Sequence, residues 1–108
     1  MATIKGILGQ AAPGAAVLSS VYTVPANKVA TVKVVFANRA GGGTSVRLAV
    51  SPNGAGISNE HYVTYDFSLP GNDAVSSVAI TLGDGDIVRV YSLSGNVSFT
   101  VTGIEQDA

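Results

Sequence analysis

The sequence predicts an all-β fold, a single antiparallel β-sandwich of about seven to eight strands, jelly-roll-like or immunoglobulin-like, over residues 1–108. Three observations predict it. Sixteen Val residues recur in alternation with Ser and Thr, the period-two pattern of half-buried strands. Clusters of Gly, Pro, Asn and Asp interrupt that pattern at intervals of roughly 8 to 12 residues. No segment keeps a helical spacing beyond two turns. A chain of 108 residues fits one domain, which buries roughly two thirds of its unfolded surface and needs no covalent staple.

Residues 1–14 are expected to form an extended N-terminal arm. The first strand then covers residues 16–24 and stops at Pro25, which has no N–H to give a ladder. Pro25, Ala26 and Asn27 make the turn. The next strand, residues 28–38, places Val32, Val34 and Phe36 on one face and Thr31 and Lys33 on the other. Val35 and Ala37 share the outer face and make it partly apolar. The glycines Gly41, Gly42 and Gly43 form a connecting loop ahead of residues 45–50, where Val46, Leu48 and Val50 alternate with Ser45, Arg47 and Ala49.

Residues 51–56 carry the densest run of breakers, and a crossing between sheets is expected there. Ser58 suits the cap of a brief helical turn through Glu60, His61 and Tyr62, since an acidic residue complements the free N–H groups of a first turn. Residues 62–69 form a strand with Val63, Tyr65 and Phe67 on one face, closed by Pro70, Gly71 and Asn72. Residues 73–82 follow, with Val78, Ile80 and Leu82 opposite Ser77, Ala79 and Thr81. Gly83, Asp84, Gly85 and Asp86 read as a hairpin-type turn, because Asp-Gly supplies positive φ. Residues 87–92 and 96–104 make the last strands, and in the latter Val97, Phe99 and Val101 face the core.

Charge narrows the function classes. Charged residues are only 12% of the chain, about half the usual share, so the surface suits a protein covered by its neighbours. The net charge of -1 leaves no basic footprint for a nucleic acid and no polybasic patch for a membrane. Without Cys there are no disulfides and no thiolate metal ligands. No apolar run approaches the roughly 18 residues of a membrane span, and the N-terminus lacks a secretory apolar region, so synthesis without signal-peptide export is expected.

Few side chains remain for chemistry. His61 is the only histidine, and a small hydrolase or a metal-dependent enzyme would have to use it, in company with Glu60, Tyr62, Tyr65 and Asp66. No nucleophile elbow or oxyanion-hole motif accompanies it, so a non-enzymatic protein with no cofactor and no metal is expected. Asp84 and Asp86 flank Gly85, but the spacing of a calcium loop is missing and turn chemistry explains them better. The triple glycine lacks the Lys-Ser/Thr of a phosphate cradle. Tyr22, Tyr62, Tyr65 and Tyr91 offer aromatic faces for a saccharide. An oligomer interface uses Tyr and apolar outer positions equally well, with Val35, Ala37, Ala49, Ala79, Tyr22 and Tyr62 as the candidate residues.

A series of short motifs runs along the chain, beginning with Leu8-Gly9-Gln10, Val21-Tyr22-Thr23-Val24-Pro25-Ala26 and Val34-Val35-Phe36-Ala37-Asn38-Arg39. It continues with Val46-Arg47-Leu48-Ala49-Val50, His61-Tyr62-Val63-Thr64-Tyr65-Asp66 and Gly71-Asn72-Asp73. Asp86-Ile87-Val88-Arg89-Val90-Tyr91-Ser92 and Val97-Ser98-Phe99 complete the series. In this order the motifs resemble a family of small tailed-bacteriophage virion proteins. The resemblance implies a non-enzymatic homo-oligomer on the virion, assembled in the host cytoplasm, that decorates or cements the capsid or belongs to tail or fibre. Its implied partners are itself and other virion proteins, without nucleic acid or membrane. A carbohydrate-binding module that aids attachment to a host surface is the alternative.

Overall fold

A computed structural model of the chain describes residues 3–108, with side chains from residue 6 onward. Nine strands form two antiparallel sheets: β1 (Thr3–Ala11), β2 (Ser19–Thr23), β3 (Lys28–Asn38), β4 (Thr44–Ser51), β5 (Tyr62–Leu69), β6 (Ala74–Ser76), β7 (Ile80–Leu82), β8 (Ile87–Ser92) and β9 (Val97–Asp107). The first sheet runs β1-β9-β3-β6, with β7 also paired to β3, and the second runs β2-β8-β4-β5. Strands pair as in one long hairpin folded over on itself, β1 with β9, β2 with β8, β3 with β6 and β7, β4 with β5. That is the jelly-roll order rather than the immunoglobulin-like one.

Two expected connections exchange roles. The breaker-rich residues 51–56 join β4 to β5 within one sheet and do not cross. The Gly83–Asp86 turn has the expected tight form, with Asp86 N donating to Gly83 O at 3.1 Å, yet it carries the chain from β7 to β8 in the other sheet. Turn chemistry sets how sharply the chain bends, whereas long-range pairing sets which sheet it enters.

The expected N-terminal arm is extended but docked: Thr3–Ala11 is the edge strand β1, paired along β9. Met1 and Ala2 of that arm lie outside the described residues. Glycine makes the docking possible. A Cβ on Gly9 would sit 2.3 Å from the carbonyl oxygen of Val21 on β2, so only a bare Cα lets the two edges close one side of the sandwich. The opposite side stays open between β5 and β6, where Phe36, Val63, Phe67, Val75 and Val78 border a groove of about 220 Å³.

The core lies between the sheets. Ala30, Val32, Val34 and Phe36 of β3 and Val97, Phe99 and Val101 of β9 come from one, Val46 and Leu48 of β4 and Val88 and Val90 of β8 from the other. Phe36 and Phe99 pair across the ladder and meet edge to face, with centroids 5.6 Å apart, a favoured arrangement of ring quadrupoles. Asn38 is buried at the end of β3. Its amide donates to the carbonyl oxygens of Gly42 at 2.9 Å and Pro70 at 3.2 Å, and its own oxygen accepts from Ala40 N at 3.0 Å. This one side chain ties together the two crossover loops at that end.

Bulges redirect several side chains. The strand expected over residues 73–82 is split, because the pairs Val35–Ser76 and Val32–Ile80 leave two residues of β3 facing three, Ser77, Val78 and Ala79. Ser77 stays on the ladder, donating its N–H to Val34 O and accepting from Val34 N at its hydroxyl. Val78 is pushed into solvent, 68% exposed. On β5 the pairs Ala49–Tyr62, Leu48–Thr64 and Val46–Phe67 show two further insertions, at Val63 and at Asp66, and Asp66 takes φ 51°.

Candidate surfaces: an uncharged sheet face and a tyrosine–arginine cluster

The six candidate interface residues separate. Val35 and Ala37 do lie on the outer face of the five-stranded sheet, partly exposed, and Ala79 is exposed in the bulge at its edge. Two others are corrected. Tyr22 is a core residue: the register of β2 slips after Ser20 and sets Tyr22 opposite the inward Val88. Its hydroxyl donates to Glu105 Oε1 at 2.6 Å, joining the two sheets. Burial first, and the bond to Glu105 second, push the Tyr22 pKa well above the usual phenol range. Ala49 is fully buried although it faces outward. It is paired with Tyr62 and Arg89, and the 3-10 turn Asn59–His61 packs on its strand, so the chain's own loop covers it. Tyr62 lies on the other sheet.

Around Val35 and Ala37 the surface is almost without charge. The outward positions of β3 are Val29, Thr31, Lys33, Val35 and Ala37, and those paired with them on β9 are Gln106, Ile104, Thr102, Thr100 and Ser98. Lys33 is the one ionic group among them. Ile7 of β1, opposite Thr102, is 63% exposed, and Ile104 is 41% exposed. A shallow hollow of about 280 Å³ opens beside Val29, Thr31, Thr81 and Ile104. Small hydroxyl and apolar side chains on a flat sheet are cheap to desolvate, since few carry a full charge. Ile7 escaped the sequence reading because the glycines of residues 1–14 blur the alternation that marks a strand.

The outer face of the four-stranded sheet has a different character. Between Val46–Phe67 and Leu48–Thr64 a single residue of β4, Arg47, faces both Tyr65 and Asp66 of β5. Arg47 Nε donates to Asp66 Oδ1 at 2.6 Å, which pushes the guanidinium pKa up. The guanidinium carbon lies 4.2 Å from the centroid of Tyr65 and 4.5 Å from that of Tyr91, within the range of cation–π attraction. Tyr62 meets Tyr65 edge to face at 4.9 Å. On a regular strand residues 62 and 65 point to opposite faces. The residue inserted at Val63 brings both rings to the same one. Three of the four tyrosines expected as aromatic faces are thereby gathered, and Asn59, Tyr62 and Tyr65 line a hollow of about 460 Å³.

The helical turn expected after Ser58 is present as the 3-10 turn Asn59–His61. Ser58 N donates to His61 Nδ1 at 3.1 Å, and His61 N donates to Ser58 O. The backbone N–H of Glu60 and the Ser58 hydroxyl hold the Glu60 carboxyl below the usual range. Asp84 and Asp86 act as turn residues, accepting from the N–H groups of Asn27, Gly83 and Asn53. Among the described residues no three metal-ligating side chains converge, and no helix is long and apolar enough to cross a membrane. No family model and no curated protein matches the chain.

Proposed function

We propose that this protein is a non-enzymatic structural component of a bacteriophage virion, present in repeated copies that associate through the outer face of the five-stranded sheet. The observation that carries the reading is the scarcity of charge on that face, with Lys33 the one ionic group among ten outward positions of β3 and β9 and with Ile7 and Ile104 exposed beside them. The order of motifs along the chain supports the virion assignment. Oligomer symmetry repeats one modest contact at every copy, so a face of Thr, Ser, Val and Ile suffices without a deep pocket.

The test is a density map of the intact particle that carries the chain. The reading expects several symmetry-related copies, each with Val35 and Ile104 covered by a neighbouring subunit. A particle without the chain, or one in which that face is turned to solvent in every copy, overturns it.

A further inference from the structure

The geometry points to a second working surface, a binding site for a neutral pyranose sugar on the outer face of the four-stranded sheet, formed by Asn59, Tyr62 and Tyr65 and braced by Arg47. This inference is independent of the assembly reading, because the two faces lie on opposite sides of the sandwich.

Three observations lead to it. First, Tyr65 is 58% exposed yet fixed in place. Arg47 lies over its ring, Tyr62 abuts it at 85°, and Asp66 anchors Arg47. An aromatic ring held rigid in solvent stacks on the C–H face of a sugar at little cost in side-chain entropy. Second, Tyr62 and Tyr65 share a face only because β5 carries an insertion between them, at Val63, and a second insertion directly after Tyr65 sets Asp66 in the left-handed region, where it meets Arg47. Bulges that re-aim a side chain and non-glycine residues with positive φ concentrate at functional sites. Third, the hollow of about 460 Å³ has the volume of a small-ligand site, and it offers the Asn59 amide, which both donates and accepts, for ring hydroxyls.

Charge then selects the sugar. Arg47, the cation against the Tyr65 ring, is matched by Asp66 at 2.6 Å, and Arg89, across Ala49 from Tyr62, is turned to the Ser51 hydroxyl and the Ala55 carbonyl oxygen. Glu60, next to Asn59, adds a carboxylate with its side chain 77% exposed. A sialic acid, uronate or sulfated sugar stacked on Tyr65 would find the arginine beside it already matched and one repelling carboxylate. A neutral hexose meets neither obstacle.

The experiment is a printed array of neutral, sialylated and sulfated oligosaccharides, probed with the full chain displayed at high density on fluorescent beads. Binding is expected on neutral glycans. Tyr65→Ala is expected to lower it about tenfold, the loss of one stacking contact, and Tyr65→Phe to keep it. Should Tyr65→Ala lose its cooperative unfolding transition, Asn59→Ala carries the same test from the exposed turn, with loss of binding expected. No neutral-glycan signal from the wild type, a signal on anionic glycans alone, or a neutral signal indifferent to both substitutions overturns the inference.

Discussion

Replacing Tyr22 by Phe removes one oxygen atom and tests how the two sheets are joined. Tyr22 and Glu105 are 9% and 8% exposed, and the hydroxyl donates to the carboxylate at 2.6 Å. The phenylalanine ring fills the same space, so no cavity term arises. What is lost is a buried hydrogen bond to an acidic side chain, worth about 1.5–3 kcal/mol when the acceptor is charged. A loss of about 2 kcal/mol is expected, which lowers Tm by roughly 10 °C for a domain of this size. Urea unfolding followed by tryptophan-free near-ultraviolet signals, with calorimetry alongside, measures both. A change within about 0.5 kcal/mol of zero, the usual range for substitutions away from such features, refutes the claim that this bond joins the sheets.

The same pair makes a pH prediction. The folded Tyr22 pKa is raised above its ordinary 10.0, so its contribution to stability is fully present below pH 10 and declines as pH rises beyond it. The wild type is expected to lose stability above that pH through ionisation of this phenol, and Tyr22→Phe to lose less, as unfolding curves across the alkaline range will show. Gly9→Ala forces a Cβ to within 2.3 Å of the Val21 carbonyl oxygen. A cost of about 1–3 kcal/mol is expected, with faster amide exchange along β1, and an unchanged exchange pattern counts against the closed seam. Asn38→Ala strips the partner from two crossover loops, and about 2 kcal/mol of destabilisation is expected, measured by the same urea series.

Inward faces were legible wherever a strand was regular. The alternation of Val32, Val34 and Phe36, and of Val97, Phe99 and Val101, states directly which side is buried. Three things were not. The sheet that each strand joins depends on long-range pairing, and two Gly-rich turns of similar composition lead to opposite outcomes at residues 51–56 and 83–86. Bulges shift the parity of a strand without leaving a signature. Val63 and Phe67 therefore part from Tyr65, which was expected on their face, and Tyr22 enters the core beside a Val21 that reads equally well as inward. The edge strand β1 is hidden by Gly6, which takes φ 120°, and by Gly9, whose lack of a side chain is what its docking requires.

The tyrosine–arginine cluster follows the same logic. Tyr62, Tyr65, Arg47 and Tyr91 come from three strands, and nothing in their spacing along the chain brings them together. Only the β4–β5 and β4–β8 registers do so. The uncharged outer face was more readable, because Val35 and Ala37 already stood out as apolar side chains on the solvent side of β3. Its full extent needed β9 and β1 laid beside it.

Sedimentation velocity of the full chain, wild type against Val35→Asp, tests most directly the claim that the outer face of the five-stranded sheet is an interface between copies. The wild type is expected to sediment as a defined oligomer and Val35→Asp as a monomer, since a carboxylate buried at that contact has no cation but Lys33 among the outward positions of β3 and β9. Tyr65→Ala, on the opposite face, is expected to sediment as the wild type does. A wild-type chain that stays monomeric at the highest soluble concentration, or a Val35→Asp chain that assembles normally, contradicts the account.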